Sequence, residues 1–201
     1  MEIHPWAGPI LAIVCGYLLG SIPFGLLLTR FVGGGDLRAI GSGNIGATNV
    51  LRTGRKGLAA LTLLLDAAKG ACAVLAVGRF APELAALAGF AAFIGHLYPL
   101  WLRFQGGKGV ATLLGIALAL DWQVGLAFAL VWLGAMGLSR YSSVGGMAAA
   151  ISTPVVAAAT GRLDLALLFV LCAVLVLWKH RANVARLIDG TEPRLGRAKA
   201  S

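Results

Sequence analysis

The sequence contains few charged residues, and this scarcity limits the classes of protein to which it can belong. Only 12% of its 201 residues are charged and 59% are hydrophobic, whereas soluble domains carry about 25% charged residues. The hydrophobic residues form continuous runs and do not alternate with polar ones, which argues against a membrane β-barrel. We therefore expect an all-α integral membrane protein, with residues 1–201 forming a single domain.

Several motifs of catalysis and metal binding are also missing. The cysteines Cys15, Cys72 and Cys172 lie in apolar runs, with no CxxC pair and no Cys/His cluster, so we expect no metal site. The GxSxG element of serine hydrolases is absent. No histidine is followed five positions later by Asp, the pairing that many glycerolipid acyltransferases use as a general base. These absences argue against a metalloenzyme, a serine hydrolase and a histidine–aspartate acyltransferase.

Long apolar runs predict a bundle of seven transmembrane helices. We place them near 6–29, 57–77, 84–103, 109–120, 122–138, 144–160 and 163–179. The fourth run has about 12 residues, too few to cross a hydrocarbon core of about 30 Å. We expect there a short, deeply set helix or part of a re-entrant pair. The first run follows the acidic Glu2 and is expected to be a retained span, not a cleaved signal peptide.

The positions of Lys and Arg predict how the bundle is oriented. With seven crossings and the N-terminus outside, fourteen of the 17 Lys and Arg residues fall on inner segments. Only Arg79 and Arg162 fall on outer segments, and Lys69 lies within a span. The positive-inside rule then predicts a cytoplasmic C-terminus. Two glycine-rich segments also face the cytoplasm in this arrangement, as expected of an enzyme that takes soluble substrates from that side.

The first glycine-rich segment, 41–52, reads GSGNIGATNVLR. It matches GxGxxG, but a membrane helix precedes it where a dinucleotide site requires a strand. The segment could be a flexible turn, yet its polar side chains suit a ligand bearing phosphate, because glycine lets backbone N–H groups crowd around an anion. These side chains are Ser42, Asn44, Thr48, Asn49 and Arg52.

The second glycine-rich segment, 105–112, reads QGGKGVAT and leads directly into an apolar helix. It lacks the spacing and the Ser/Thr of a Walker A loop. Backbone donors, the positive helix end and Lys108 could converge on one anion, or Lys108 could extend to the lipid headgroups. His96, inside the preceding span, is expected to orient this loop. Asp66 and Lys69, three positions apart in the second span, are expected to form an ion pair with a structural role.

Two further polar groups follow in the C-terminal half. Ser142 and Ser143 open the sixth span, where they could simply cap a helix. His180, Asn183 and Arg186 come after the seventh span, together with Glu192. That stretch could be a basic interfacial strip that binds anionic lipid.

Taken in order, these elements resemble the bacterial membrane acyl-phosphate:glycerol-3-phosphate acyltransferases. The matching segments are GSGNIGATNVLR at 41–52, GHLYPLWLRFQGGKGVAT at 95–112, YSS at 141–143 and HRANVARLIDGTEP at 180–193. The resemblance implies a seven-helix enzyme of the bacterial inner membrane that acts in phospholipid biosynthesis. Such an enzyme moves a fatty acyl group from acyl phosphate to the 1-hydroxyl of glycerol 3-phosphate, giving lysophosphatidic acid and phosphate.

The resemblance also implies residue roles, carried over position by position. The catalytic residues would be Arg52, Lys108, Ser143 and Asn183. The substrate-binding residues would be Ser42, Asn44, Thr48, Asn49, Gly106, Gly107, Gly109 and His180. The first four of these would shape the first loop. A substrate phosphate, or Ser143 with an Asn partner, would accept the hydroxyl proton. Which of the two loops binds which substrate phosphate is not assigned.

The expected partners are the two substrates, membrane lipid and the soluble enzyme that makes acyl phosphate, with no nucleic acid. We expect no metal, coenzyme A or other cofactor. The alternative is a small anion or glycerol-phosphate transporter. A transporter shares the basic loops but needs polar groups near the bilayer midplane and access from both sides.

Overall fold

Helices make up the regular structure of this protein. The computed structural model describes residues 5–195. Its α-helices are α1 Ala7–Gly20, α2 Phe24–Phe31, α3 Ala47–Leu51, α4 Lys56–Gly78, α5 Ala85–Leu97, α6 Val110–Leu120, α7 Trp122–Ser139, α8 Ser142–Ala159, α9 Leu163–Lys179 and α10 Arg181–Ile188. Single 3₁₀ turns occupy Leu37–Ala39, Pro82–Leu84 and Leu100–Leu102. Within residues 5–195 there is no strand, so the all-α prediction is confirmed.

Every predicted span coincides with helical structure. Five segments are long and apolar enough to cross a membrane: Ala7–Phe31, Lys56–Gly78, Pro82–Leu102, Trp122–Ser139 and Ser142–Ala159. The pair α9–α10, bent by 55°, is a sixth candidate, and α6 is the short apolar helix expected at the fourth span. An integral membrane protein with five or six apolar spans is therefore supported, while seven crossings and their orientation stay predictions. Glu2, used in the argument for a retained first span, lies outside the described residues, as do Arg197 and Lys199, which are two of the fourteen residues assigned to inner segments.

The first predicted span differs from expectation because it is broken between α1 and α2. Pro23 has no backbone N–H and precedes the first residue of α2, a position where proline costs little. Side chains donate hydrogen bonds to two carbonyl groups at this break. The Trp101 indole Nε1–H donates to Ser21 O, and Lys69 Nζ donates to Ile22 O, each over 2.7 Å.

The chain groups into two compact units, residues 1–122 and residues 123–201. In the first unit, α1 packs against α5 and α4 packs against α6. Both pairs meet backbone to backbone, since a Cβ on Gly20 would overlap the carbonyl oxygen of Ala92. Such close packing at small residues is typical of helices in a bilayer, where apolar burial between helices gives little driving force.

In the second unit, α8 packs against α9, which buries Phe169, Cys172 and Val176. The chain turns by 55° between α9 and α10. It then returns to the start of α8, where the Leu195 N–H donates to Arg140 O over 2.8 Å. This return brings the residues after α10 to the first turn of α8. The single-domain assignment made from sequence stays a prediction.

Candidate active site

The first glycine-rich segment is an ordered loop that is anchored by buried residues. Ile45 and Val50 are 3% and 0% exposed and belong to an apolar cluster under the loop. Asn49, 1% exposed, holds the loop together through both ends of its amide. Its Nδ2 donates to Leu37 O over 3.0 Å and to Ile40 O over 2.9 Å, and its Oδ1 accepts the Ser42 N–H over 3.1 Å. Asn49 therefore shapes the loop with its whole hydrogen-bonding capacity.

The polar surface of the same loop consists of the other predicted residues. Asn44 Oδ1 accepts the Gly46 N–H over 2.9 Å, which forms a local turn just before α3 begins at Ala47. Arg52, exposed at the end of α3, lies beside Gly41, where a Cβ would stand 3.1 Å from Arg52 Cδ. Thr48 is half-buried on α3. One face of the loop thus offers a guanidinium group beside glycine backbone.

The second glycine-rich segment folds back onto the end of α5. The Gly106 N–H donates to Leu97 O over 3.2 Å, and the Gly107 N–H donates to His96 O over 3.0 Å. The imidazole of His96 lies directly against Gly107, since a Cβ there would overlap Nε2 of the ring. Only glycine fits at position 107 with His96 in this place. The expectation that His96 orients the loop agrees with these contacts.

Lys108 follows this contact and stands just before α6. It is half-buried, and Gly109 is the residue that caps the helix. The first N–H groups of an α-helix have no acceptor within the helix, and they carry the positive end of its dipole. Lys108 thus carries its positive charge two positions before the positive end of the α6 dipole. That combination suits an anion with several oxygens, such as a phosphate group.

In the second unit, a carboxylate connects the predicted residues of α8 and α10. Glu192, 7% exposed, accepts hydrogen bonds at Oε1 from Ser143 Oγ over 2.8 Å and from Asn183 Nδ2 over 2.6 Å. Its Oε2 accepts from Arg186 Nε over 2.8 Å. Three donors from two helices thus converge on one buried carboxylate. The structure brings Ser143 and Asn183 together through a residue that the sequence analysis did not assign to the site.

The charge of Glu192 is fixed by these bonds. Burial acts to raise the pKa of the carboxyl group, but hydrogen bonds from Asn183, Ser143 and Arg186 more than offset it and hold the pKa below its ordinary value. Glu192 is therefore a stable anion at neutral pH and a weak base. Its role in the geometry is to orient the groups that surround it.

His180 has a defined ring orientation at the α9–α10 junction. Its Nδ1 lies 2.8 Å from Val176 O, and the residue is 2% exposed. A carbonyl oxygen can only accept, so Nδ1 must carry the proton in this contact. This assigns Nε2 as the acceptor nitrogen of the neutral ring.

Sequence reasoning missed Arg186 and Glu192 as site residues. The only signal was an acid followed by Pro193 within a basic stretch, and that pattern does not reveal burial. Apart from His180, the predicted site residues lie in three local groups, around Asn49, around Lys108 and around Glu192, and their roles stay predictions. Across residues 5–195, no three His, Cys, Asp or Glu side chains come together in a way that could hold a metal ion.

Known proteins with similar sequences share one description. Residues 10–190 match the glycerol-3-phosphate acyltransferase family. A glycerol-3-phosphate acyltransferase from Mesorhizobium japonicum is 60% identical over 189 residues, which cover 94% of this chain and 97% of that protein. One from Brucella anthropi is 55% identical over 185 residues, covering 92% of each.

Solved structures agree with the sequence comparison. One similar structure is the crystal structure of PlsY, an integral membrane glycerol 3-phosphate acyltransferase, in its glycerol 3-phosphate form. It matches with a TM-score of 0.88 and 38% sequence identity, and the match covers 94% of this chain and 96% of that one. Its lysophosphatidic acid form has a TM-score of 0.86 and 36% identity, with 94% and 95% covered. With these matches and the local geometry above, the chain belongs to the glycerol-3-phosphate acyltransferase family and is an integral membrane acyltransferase.

Proposed function

We propose that this enzyme transfers a fatty acyl group from acyl phosphate to the 1-hydroxyl of glycerol 3-phosphate, releasing lysophosphatidic acid and inorganic phosphate. The acceptor and product are supported by the glycerol 3-phosphate and lysophosphatidic acid forms of the similar solved enzyme. The donor is supported by the chemistry of this chain's own residues. Two basic glycine-rich loops suit a reaction in which both substrates carry a phosphate group.

The choice of acyl donor rests on one observation, the hydrogen bond from Ser143 to Glu192. Its hydroxyl donates to Glu192, whose pKa is lowered, so Ser143 lacks the strong base that would make it a nucleophile. A donor with a good leaving group removes the need for such a base. Acyl phosphate is a mixed anhydride of that kind, and its leaving group is phosphate.

The reaction then depends mainly on holding two anions together and on stabilising the developing oxyanion. The glycerol hydroxyl oxygen attacks the acyl carbon, the bond from that carbon to the phosphate oxygen breaks, and the hydroxyl proton passes to a phosphate oxygen. Lys108 and Arg52 supply positive charge for substrate phosphates. The Ser143 hydroxyl donates its hydrogen bond to Glu192 and keeps its proton, so the lone pairs of Ser143 Oγ are available to accept a hydrogen bond from the attacking hydroxyl.

We further propose that the reaction takes place at the cytoplasmic face of the bacterial inner membrane. The concentration of Lys and Arg on the predicted inner segments supports this orientation. The acyl chain enters from lipid, and glycerol 3-phosphate enters from water. A soluble enzyme that makes acyl phosphate is the expected source of the donor.

Phosphate release tests the proposal directly. Purified protein in detergent, given acyl phosphate and glycerol 3-phosphate, is expected to release phosphate and form lysophosphatidic acid without coenzyme A and in the presence of a chelator. Acyl-CoA in place of acyl phosphate is the matched control and is expected to give no product. Product from acyl-CoA alone, or a requirement for a divalent ion, would contradict the proposal. A transporter would release no phosphate from the substrate pair.

A further inference from the structure

A buried polar cluster lies in the first unit, outside the two glycine-rich loops. Asp66, Lys69 and His96 are 2%, 4% and 4% exposed. Lys69 Nζ lies 2.7 Å from Asp66 Oδ1 on the same helix, α4. The same carboxylate oxygen lies 3.7 Å from Nδ1 of His96, which belongs to α5. One oxygen of Asp66 thus faces both an ammonium group and an imidazole.

The two neighbours of Asp66 lead to different parts of the unit. Lys69 also donates to Ile22 O at the break between α1 and α2, so it ties α4 to the start of the segment that leads into the first loop. His96 accepts the Gly107 N–H at its carbonyl oxygen and lays its ring against the same glycine. Gly107 is the residue immediately before Lys108. The position of His96 therefore fixes the backbone from which Lys108 extends.

A buried Asp–Lys ion pair costs more free energy than an apolar contact between helices inside a membrane. Charged side chains within spans cost free energy, and replacing a buried ion pair by apolar residues is often neutral or stabilising. Packing alone therefore does not account for Asp66 and Lys69. An electrostatic contact does. At 3.7 Å the Asp66 carboxylate is too far from Nδ1 of His96 for a hydrogen bond, but its charge favours one orientation of the polar imidazole ring, which apolar residues cannot do.

We propose that Asp66 is a positioning residue that acts through His96 to hold the loop carrying Lys108 in its substrate-binding shape. Asp66 does not touch substrate. It holds the imidazole against Gly107, and Lys69 completes the arrangement by balancing the carboxylate charge. The inference rests on the proposed function, in which this loop binds a substrate phosphate.

The test compares variants that remove the carboxylate with one that keeps it. Asp66→Asn removes the charge, and the double variant Asp66→Leu/Lys69→Leu removes the whole pair without leaving a lone buried ion. We expect both to raise the KM for at least one phosphate-bearing substrate about tenfold, the loss typical when a group that orients a ligand-binding residue is removed. Asp66→Glu keeps the carboxylate and is expected to lie closer to wild type.

A second readout does not depend on turnover. Hydrogen exchange at the backbone N–H groups of Gly106 and Gly107, both bonded in the native loop, is expected to be faster in the double variant than in wild type. If wild-type protein released no phosphate from acyl phosphate, the proposed donor would fail, while this comparison would still decide the positioning role.

Thr62→Val is the matched control. Thr62 is 0% exposed on α4, one helical turn from Asp66, and its hydroxyl donates to Leu58 O of the same helix. This change removes a buried polar group and is expected to leave both KM values and loop exchange unchanged. An equal KM increase in Thr62→Val would overturn the proposal. So would a double variant with wild-type KM values and wild-type exchange at Gly107.

Discussion

The Ser143 hydroxyl donates a 2.8 Å hydrogen bond to Glu192 Oε1, across 49 positions of the chain. The same carboxylate accepts hydrogen bonds from Asn183 and Arg186, so the start of α8 and one side of α10 are joined at one buried anion. Charge-assisted hydrogen bonds of this kind are stronger than neutral ones. Glu192 is therefore central to the stability of this part of the second unit.

Replacing Glu192 by Gln is expected to destabilise the protein at neutral pH. The amide NH₂ that replaces Oε2 faces the Arg186 Nε–H, so two donors meet where an acceptor was. We expect a lower melting temperature in detergent at pH 7 and a loss of phosphate release. Asp189→Asn, which removes an exposed acid three positions earlier, is the control and is expected to melt as wild type does.

The same substitution has a predicted pH dependence. The folded-state pKa of Glu192 lies below the ordinary value of 4.5. The carboxylate therefore stabilises the fold above pH 4.5, and this stabilisation is lost as pH falls through the lower, folded-state pKa. The difference in melting temperature between wild type and Glu192→Gln is expected to narrow below pH 4.5. A constant difference down to about pH 2 would show that the charge of Glu192 does not stabilise the fold.

Lys108→Ala is expected to reduce phosphate release by about 100-fold or more, because the ammonium group stabilises charge where the substrate phosphate binds. The protein is expected to insert into the membrane and to elute from size-exclusion chromatography as wild type does. Lys56→Ala, at the exposed start of α4, is the control for loss of one positive charge. Wild-type turnover in Lys108→Ala would remove the loop from the mechanism.

Gly107→Ala is expected to reduce kcat/KM by about 100-fold, the scale of loss when a reacting group is displaced by about 1 Å. The added Cβ overlaps Nε2 of the buried His96 ring, so the loop or the ring must move. Gly57→Ala is the matched change in the same unit, since a Cβ there meets no atom within 4 Å. Equal kcat/KM values for Gly107→Ala and Gly57→Ala would show that the packing of His96 against Gly107 is not needed for activity.

Asn49→Asp is expected to lower stability because an ionised carboxylate cannot donate to Leu37 O and Ile40 O. Each carbonyl keeps one backbone donor, the Ile40 N–H for Leu37 O and the Gly43 N–H for Ile40 O, so the loss is that of two hydrogen bonds, about 1 kcal/mol each. Thermal denaturation in detergent measures the effect. Asn44→Asp is the control for melting temperature only, since Asn44 uses an acceptor oxygen that aspartate retains. A melting temperature as high in Asn49→Asp as in Asn44→Asp would show that the amide donors do not matter.

Much of the helical arrangement could be predicted because membrane helices are specified by local composition. Each apolar run yielded a helix, and even the short run at 109–120 became α6 at Val110–Leu120. The break at Pro23 was missed, because hydropathy averages over the three residues between α1 and α2. Proline in an apolar run was the available signal.

The candidate site was predictable in its loops and less so in its long-range contacts. Lys108 and its glycines could be recognised because they are contiguous in sequence. The functions of Asn49 and Glu192 depend on contacts with residues 6 to 49 positions away, and sequence spacing does not encode those. The amide of Asn49 makes its hydrogen bonds within the loop, in agreement with the predicted role in shaping it, while substrate binding by Asn49 stays a prediction.

The length of α6 has a consequence for the surroundings of the enzyme. Its 11 residues rise about 16 Å at about 1.5 Å per residue, roughly half of a hydrocarbon core of about 30 Å. The membrane around this helix must therefore thin, or neighbouring protein must shield the polar backbone at its ends. If the membrane thins, we expect the rate of acyl transfer in vesicles to change with lipid chain length, whereas shielding by neighbouring protein would leave the rate independent of it.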